Sequence, residues 1–362
     1  MKVCHFTSAH DTNDIRIFIK ECQSLSKAGH EVYLVGKGED REEGGVHVIG
    51  CGNVKGRIKR FLSFSKTVYR KALSLDCDVY HFHDPELLPY GRKLKRKGKI
   101  VIFDSHEDVP GQILDKPWIP KPFRKLVSSV YRRYETTSVK HLDAVVAATP
   151  HIGDKFNGRV RRVAVVNNYP KFDDVLFQTK SFLEREKQVC YVGSISEVRG
   201  DSIMREAMKK VDAELIVAGP HDIETIGNVR YVGKLDRAEV NKVYGESMVG
   251  LCILKPIENY YYSQPIKMYE YMVAGLPFVC SDFPGWKEIV DASGCGICVN
   301  PEDTDEIAKA IGMILDNPQS AQEMGVKGHD YVMENCNWEN EEKTLVSFYH
   351  ELERQSSQEE SK

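Results

Sequence analysis

Lys267 and Glu270 lie three residues apart in the segment 263–277, behind Ser263 as a helix cap and Pro265 in the first turn. A cation and a carboxylate on one helix face can hold a phosphate and accept hydrogen bonds from ribose hydroxyls. As a plain surface ion pair they would be worth under about 1 kcal/mol. Upstream, Tyr191-Val192-Gly193-Ser194-Ile195-Ser196 reads as a strand, a small-residue turn and a helix start, with Arg199 following. Small residues let an anion approach the backbone, a helix N-terminus favours negative charge, and a guanidinium adds a bidentate fork. Three more loops bring histidine and carboxylate to the ends of apolar runs: His10, Asp14 and Arg16; His83 and Asp84 after His81; and His106 after Asp104. Together these groups suit the orientation of hydroxyls. Taken singly, Asp14 reads equally as a helix cap and His81 as a hydrogen-bonded core residue. Two D-x-D strings, at 76–78 and 303–305, enter a strand and open a helix, so both read as structural.

The elements that must hold these loops follow from periodicity. Strands are expected over 3–6, 31–35, 46–49, 78–82, 99–103, 144–147 and 163–166, with an amphipathic helix carrying Ile15, Phe18, Cys22 and Leu25. A second series has strands over 188–192, 214–218, 229–232, 249–254, 277–280 and 296–299, and helices over 203–210, 237–245, 265–273 and 304–315. Repeated βα units of this kind imply α/β domains with doubly wound parallel sheets, two of them here, joined by a polar linker over 171–187. Ligands bind beyond the carboxyl ends of such strands, where the loops above lie.

The chain has 362 residues, 41% hydrophobic and 28% charged, an ordinary globular composition long enough for two cores. No uncharged apolar run is long enough to span a bilayer, and the N-terminus reads as a strand without a signal-peptide core, so a cytoplasmic location is expected. The ten cysteines agree, with Cys4, Cys190, Cys252 and Cys280 inside apolar runs as core thiols. Cys295 and Cys298 form a C-x-x-C without the second pair that zinc requires. The first loop lacks G-x-G-x-x-G, which argues against a dinucleotide oxidoreductase.

The net charge of −3 conceals an asymmetry: residues 1–170 carry +11 and the remainder −14. Within the basic half, 54–72 holds Lys55, Arg57, Lys59, Arg60, Lys66, Arg70 and Lys71 and no acid, interleaved with Ile58, Phe61, Leu62 and Phe64. A second such stretch runs from Lys116 through Trp118, Phe123, Arg124, Lys125, Tyr131, Arg132 and Arg133. Basic amphipathic helices of this kind suit an anionic membrane surface. Nucleic acid would explain the basic half but not the acidic one, and is not expected.

With these residues in view the chain resembles glycosyltransferase family 4, the group 1 retaining glycosyltransferases of GT-B fold. The likeness rests on Pro265-x-Lys267-x-x-Glu270-Tyr271-Met272-x-x-Gly275-Leu276-Pro277 and on Ser281-Asp282-x-Pro284-Gly285-x-x-Glu288-Ile289. It rests also on His10-x-x-x-Asp14-x-Arg16-Ile17-Phe18-x-Lys20-Glu21 and His83-Asp84-Pro85-Glu86-Leu87-Leu88. The resemblance implies two Rossmann-like domains facing a central cleft. Residues 1–170 would bind the acceptor and 188–337 the nucleotide sugar, with a helix over 338–362 crossing back to the first domain.

By the same resemblance Arg199 contacts the donor diphosphate with Lys267, beside Gly193 and Ser194. Glu270 matches the second glutamate of E-x7-E and holds the ribose, Val232 and Lys234 flank the base, and His106 stands beside the reacting sugar. His10, Asp14, Arg16, His83 and Asp84 would orient acceptor or sugar. The chain departs from the pattern at Ser194, where many members have arginine, and at Tyr262, where the first glutamate would stand. The implied partners are a UDP- or GDP-linked sugar and a glycan or lipid-linked acceptor in surface polysaccharide synthesis, with no metal cofactor. The competing readings are a GT-B epimerase, which needs no acceptor, and a non-catalytic nucleotide-sugar or polyanion binder, which would be expected to lose Glu270 or His106.

Overall fold

A computed structural model describes residues 1–116, 118–171, 175–178, 180–221 and 224–360, with the side chains of all but Arg57 and 355–360. Residues 361–362 lie outside the described residues. The chain divides into two units, 1–168 with 339–362, and 169–338.

The first unit is built on β1 (Lys2–Asp11), β2 (Glu31–Lys37), β3 (Arg41–Glu43), β4 (Val46–Gly50), β5 (Val79–Phe82), β6 (Ile100–Ser105), β7 (Ala144–Ala147) and β8 (Val163–Val165). They form one sheet in the order β3-β4-β2-β1-β5-β6-β7-β8, parallel except for β3 against β4. The central strands β5 and β7 are buried along their whole length, as both faces of a parallel sheet must be when helices cover them. Register sets His5 of β1 beside His81 of β5. The helix Trp338–Glu360 contributes Leu345, Phe348, Tyr349 and Leu352 as buried residues.

The second unit holds β9 (Gln188–Val192), β10 (Glu214–Ala218), β11 (Val229–Gly233), β12 (Val249–Cys252), β13 (Phe278–Ser281) and β14 (Gly296–Val299), all parallel, in the order β11-β10-β9-β12-β13-β14. The stretch expected as a linker packs into this unit. Val175 and Phe182 enter its core, Gln178 N–H donates to Ala274 O at 3.1 Å, and Arg185 Nη1 donates to Ser247 O at 2.7 Å. Residues 172–174 and 179 of that stretch lie outside the described residues. Asp303 caps the helix Thr304–Leu315 and Asp78 accepts from Lys2 N–H, so both D-x-D strings have structural partners. Cys298 lies across from Cys280, with sulfurs 3.8 Å apart, and Cys295 is buried. Among the described residues no helix is long and apolar enough to cross a membrane.

Candidate functional site

In the second unit the site grows from the end of β9. Gly193 takes φ 140°, and a Cβ on Gly219, in the loop after β10, would stand 2.0 Å from Gly193 O. The two loops therefore touch backbone to backbone, which only glycine allows. Tyr191 Oη donates to Ser194 O at 2.7 Å and pins the turn, leaving Ser194 exposed. The turn runs through Glu197–Arg199 to Gly200, in the left-handed conformation, and into the helix Asp201–Met208.

Lys267, in the helix Ile266–Val273, reaches under this turn. Its ammonium lies 3.4 Å from the Tyr191 ring centroid and about as close to where a Gly193 side chain would be. It is 6% exposed and has no hydrogen-bond partner among the described residues. Burial, with the charge of Arg199 adding to it, holds its pKa down to about 8. Arg199 is half-buried and also reaches the Tyr191 hydroxyl. Two cations thus converge on a glycine turn, and one has no hydrogen-bonded carboxylate among the described residues, only the more distant Glu270 charge. That is the chemistry of an anion site.

Glu270, one turn on from Lys267, does not pair with it. Its Oε1 accepts from Arg237 Nη2 at 3.0 Å and its Oε2 from Tyr244 Oη at 2.8 Å. The capping box of Asp236 and Glu239 starts the helix that carries Arg237 and Tyr244. The carboxylate is oriented from behind, and each oxygen keeps acceptor capacity for a hydroxyl. Val232, half-buried, and Lys234, exposed, flank Gly233 at the end of β11, two strands from β9. Tyr262 is exposed and Glu258 lies in a short turn before it, so neither stands as a buried carboxylate in place of the missing glutamate.

In the first unit the histidine loops converge at the carboxyl ends of β1, β5 and β6. Two Asp–His pairs meet there, with the His10 and His106 rings 5.0 Å apart. Asp84 Oδ1 holds His10 Nδ1 at 3.0 Å, and its Oδ2 accepts from Ser8 N–H, Ala9 N–H and Thr7 Oγ1. Burial opposes the Asp84 charge, but His10 and these donors outweigh it and hold the carboxyl well below its usual range. His10 is raised in turn, Asp84 overcoming its burial. Asp104 accepts from His106 Nε2 at 2.9 Å, from His83 Nδ1 at 3.0 Å and from Arg16 through two contacts of 3.0 and 3.2 Å. The side chains of His10 and His106 are 33% and 17% exposed, while those of His83 and Asp104 are fully enclosed.

Several of the residues expected to orient acceptor or sugar are engaged by other groups of the protein. Arg16 is buried against Asp104, Glu21 and Val166 O, and serves as a brace. His83 and Asp84 hold other groups. Asp14 caps the helix Ile15–Cys22, accepting from Ile17 N–H at 3.0 Å. Of this set His10 and His106 remain accessible. Glu21, His81, His83 and Asp104 bring four donor atoms within 4.8 Å of one another, a spacing a metal could use. The Arg16 guanidinium already stands 3.0 Å from side-chain oxygens of both Glu21 and Asp104, in the place a metal would need.

The two basic stretches of this unit are exposed where a folded core would hide them. Ile58 and Leu62 are 75% and 73% exposed, Trp118 65%, and Phe123, Leu126, Val127, Val130 and Tyr134 line the solvent side of Lys121–Val139. Arg60 pairs with Glu86 at 2.8 Å, and the Glu86 charge also reaches the Tyr131 hydroxyl, so the two stretches adjoin.

Residues 18–169 match the model described as Glycosyltransferase Family 4, and 186–317 the model described as Glycosyl transferases group 1. The chain is 24% identical over 229 residues to the alpha-D-kanosaminyltransferase of Streptomyces kanamyceticus, covering 56% of this chain and 58% of that protein. It is 26% identical over 179 residues to an uncharacterized glycosyltransferase of Methanocaldococcus jannaschii, 45% of each. The chain thus spans about half the length of these curated relatives. Its fold is similar to sucrose-phosphate synthase from Thermosynechococcus elongatus (TM-score 0.76, 16% identity, 97% of this chain and 99% of that one). It is also similar to HepE of Anabaena, solved in complex with UDP (TM-score 0.73, 12% identity, 97% and 100%).

Proposed function

The chain belongs to the group 1 glycosyltransferases of family-4 type, with the GT-B fold, and from that premise we propose that it transfers a sugar, with retention, from a UDP-sugar to a glycan or lipid-linked acceptor. The observation that carries this reading is the buried ammonium of Lys267, without a hydrogen-bond partner among the described residues, beside the Gly193 turn with Arg199 near it. An anion that reaches it relieves an electrostatic cost already present in the free protein. Glu270, oriented by Arg237 and Tyr244, takes the ribose hydroxyls. The choice of uridine is supported by HepE, solved with UDP and with UDP-glucose, and by the E. coli protein solved with UDP-2-fluoro glucose.

In the reaction the bond from the anomeric carbon to the diphosphate breaks, and the acceptor oxygen bonds to that carbon on the same face. The acceptor proton passes to the departing phosphate. Lys267 and Arg199 stabilise the negative charge that grows on the leaving group, which is the term an enzyme must supply most. Because two fixed cations serve that end, activity is expected to survive chelation of divalent metals. His106 orients the sugar. We place the acceptor at the membrane surface, in surface glycan synthesis, because the exposed apolar and basic face of the first unit has the composition of an interfacial helix pair.

Thermal stabilisation against UDP, GDP and their sugars tests the donor. Selective stabilisation by the uridine compounds is expected, and none by any nucleotide sugar would overturn the reading. Flotation with anionic and neutral vesicles tests the surface. Binding should require anionic lipid, weaken with salt and drop when Lys59, Arg60, Arg124 and Lys125 become Glu. Equal recovery with both vesicles would remove the membrane from the proposal.

A further inference from the structure

Behind His106 lies a continuous hydrogen-bonded chain that the proposed reaction does not by itself require. Tyr349 Oη, on the helix Trp338–Glu360, stands 2.8 Å from His81 Nδ1 and 3.3 Å from His5 Nε2. His5 Nδ1 is 2.9 Å from His83 Nε2, and His83 Nδ1 is 3.0 Å from Asp104 Oδ2. Every member of this chain is buried.

The direction of each bond can be derived. Burial opposes the Asp104 charge, yet Arg16 and the neighbouring imidazoles hold the carboxyl well below its usual range, so Asp104 is an anion that only accepts. His83 therefore donates from Nδ1. Burial lowers His83, His5 and His81 and keeps all three neutral, with one ring proton each. His83 Nε2 must then accept, so His5 donates from Nδ1 and accepts at Nε2 from the Tyr349 hydroxyl. Tyr349 has one proton to give, so at its other contact it accepts from His81 Nδ1–H. Within the chain the atom left over is His81 Nε2, which has no hydrogen-bond partner among the described residues. In this arrangement it is an unfilled acceptor, which costs less than an orphaned N–H. Reversing any bond sets two lone pairs face to face or strands a buried donor, and the two donors His83 Nδ1 and His106 Nε2 stand 3.3 Å apart because they share Asp104 Oδ2. Burial and the Asp104 charge push Glu21 up toward its neutral acid form, so the cluster closes at one guanidinium against one carboxylate.

We infer that Asp104, the acceptor on which this one-way chain from His81 through Tyr349, His5 and His83 ends, fixes His106 as the Nε2–H tautomer and so presents its Nδ1 to a sugar hydroxyl as an acceptor, with Tyr349 a positioning residue supplied by the C-terminal helix. His106 Nε2 is committed to Asp104 at 2.9 Å, and Nδ1 is the ring nitrogen left for a ligand. The tautomer pattern is a property of the folded unit. Its use in transfer rests on the reading of His106 as a site residue.

The experiment is a long-range proton–nitrogen correlation spectrum of the full chain with nitrogen-15 histidine, assigned by single His→Gln variants. His5, His81 and His83 should appear as Nδ1–H and His106 as Nε2–H. His83 or His106 in the opposite form overturns the inference, whatever the activity. Tyr349→Phe removes one hydroxyl and keeps the ring. It should lower kcat about three- to tenfold, the rate equivalent of one neutral hydrogen bond, with the donor KM unchanged. An unchanged kcat, or a loss carried by KM alone, would strip Tyr349 of its positioning role. If His106→Ala keeps full turnover while the tautomers are as stated, the site reading fails and the chain stands.

Discussion

Replacing Lys267 with methionine should make the ligand-free protein more stable while it loses its nucleotide. The Lys267 pKa falls from 10.5 to about 8, which corresponds to about 3 kcal/mol charged against the folded state near neutral pH. The Tyr191 face 3.4 Å away returns about half of that as a desolvated cation–π contact, on the order of 1–2 kcal/mol. A thioether on the same ring has no charge to desolvate and keeps a sulfur–aromatic contact. Lys267→Met should therefore stabilise the free protein by about 1–2 kcal/mol at pH 7, a rise of a few degrees in the transition of the unit spanning 169–338. The sign with pH is definite. Between about 8 and 10.5 the unfolded chain holds this proton and the folded chain does not, so wild-type stability rises with pH across that window. The gap between variant and wild type should close there. Urea melts at pH 7 and pH 10 measure the gap, and calorimetry with UDP measures the loss of binding, about tenfold or more for a charge-assisted contact. In wild type, binding should also take up protons near pH 8. A variant less stable than wild type at pH 7, or one that binds UDP as well, would refute the assignment of Lys267 as a charge held for an anion.

Glu270→Ala should cut nucleotide-sugar affinity about tenfold or more without unfolding, since Arg237 lies at the surface and can rehydrate; titration calorimetry beside circular dichroism checks both halves. His106→Ala should lower turnover more than donor affinity, because it sits in the other unit from Lys267; steady-state kinetics against equilibrium binding separates the two. His10→Gln should cost most stability near pH 5. The His10 pKa is raised above its unfolded value, so its pairing with Asp84 contributes in full below that unfolded value and is lost as pH rises through the folded one. Denaturant melts at pH 5 and pH 8 read this, and a gap that widens with pH would contradict it.

The parallel sheets are legible in the sequence because strands such as 144–147 and 249–252 are apolar on both faces and leave a continuous run. The short edge strand β3, Arg41-Glu42-Glu43, has no apolar residue to announce it and is invisible to periodicity. Lys267 and Glu270 can be found from their spacing, but their separate environments cannot. Glu270 is held by Arg237 and Tyr244, 33 and 26 residues away, and Lys267 by the Tyr191 ring on β9. The same limit explains Arg16, His83 and Asp84. Local pattern places them at strand ends, while only tertiary packing decides that Asp104 encloses two of them and leaves His10 and His106 accessible. Tyr349 carries no signal at all, being 268 residues from His81.

The return of the C-terminal helix to the first unit also sets an order of assembly during synthesis. The segment 169–338 is continuous and can close its core as soon as it has been made. The unit begun earlier cannot, because Leu345, Tyr349 and Leu352 arrive last. Until they do, His5 and His81 lack the hydroxyl that joins them, and polar groups destined for the interior stay open to water. The half of the protein translated first is thus the half completed last.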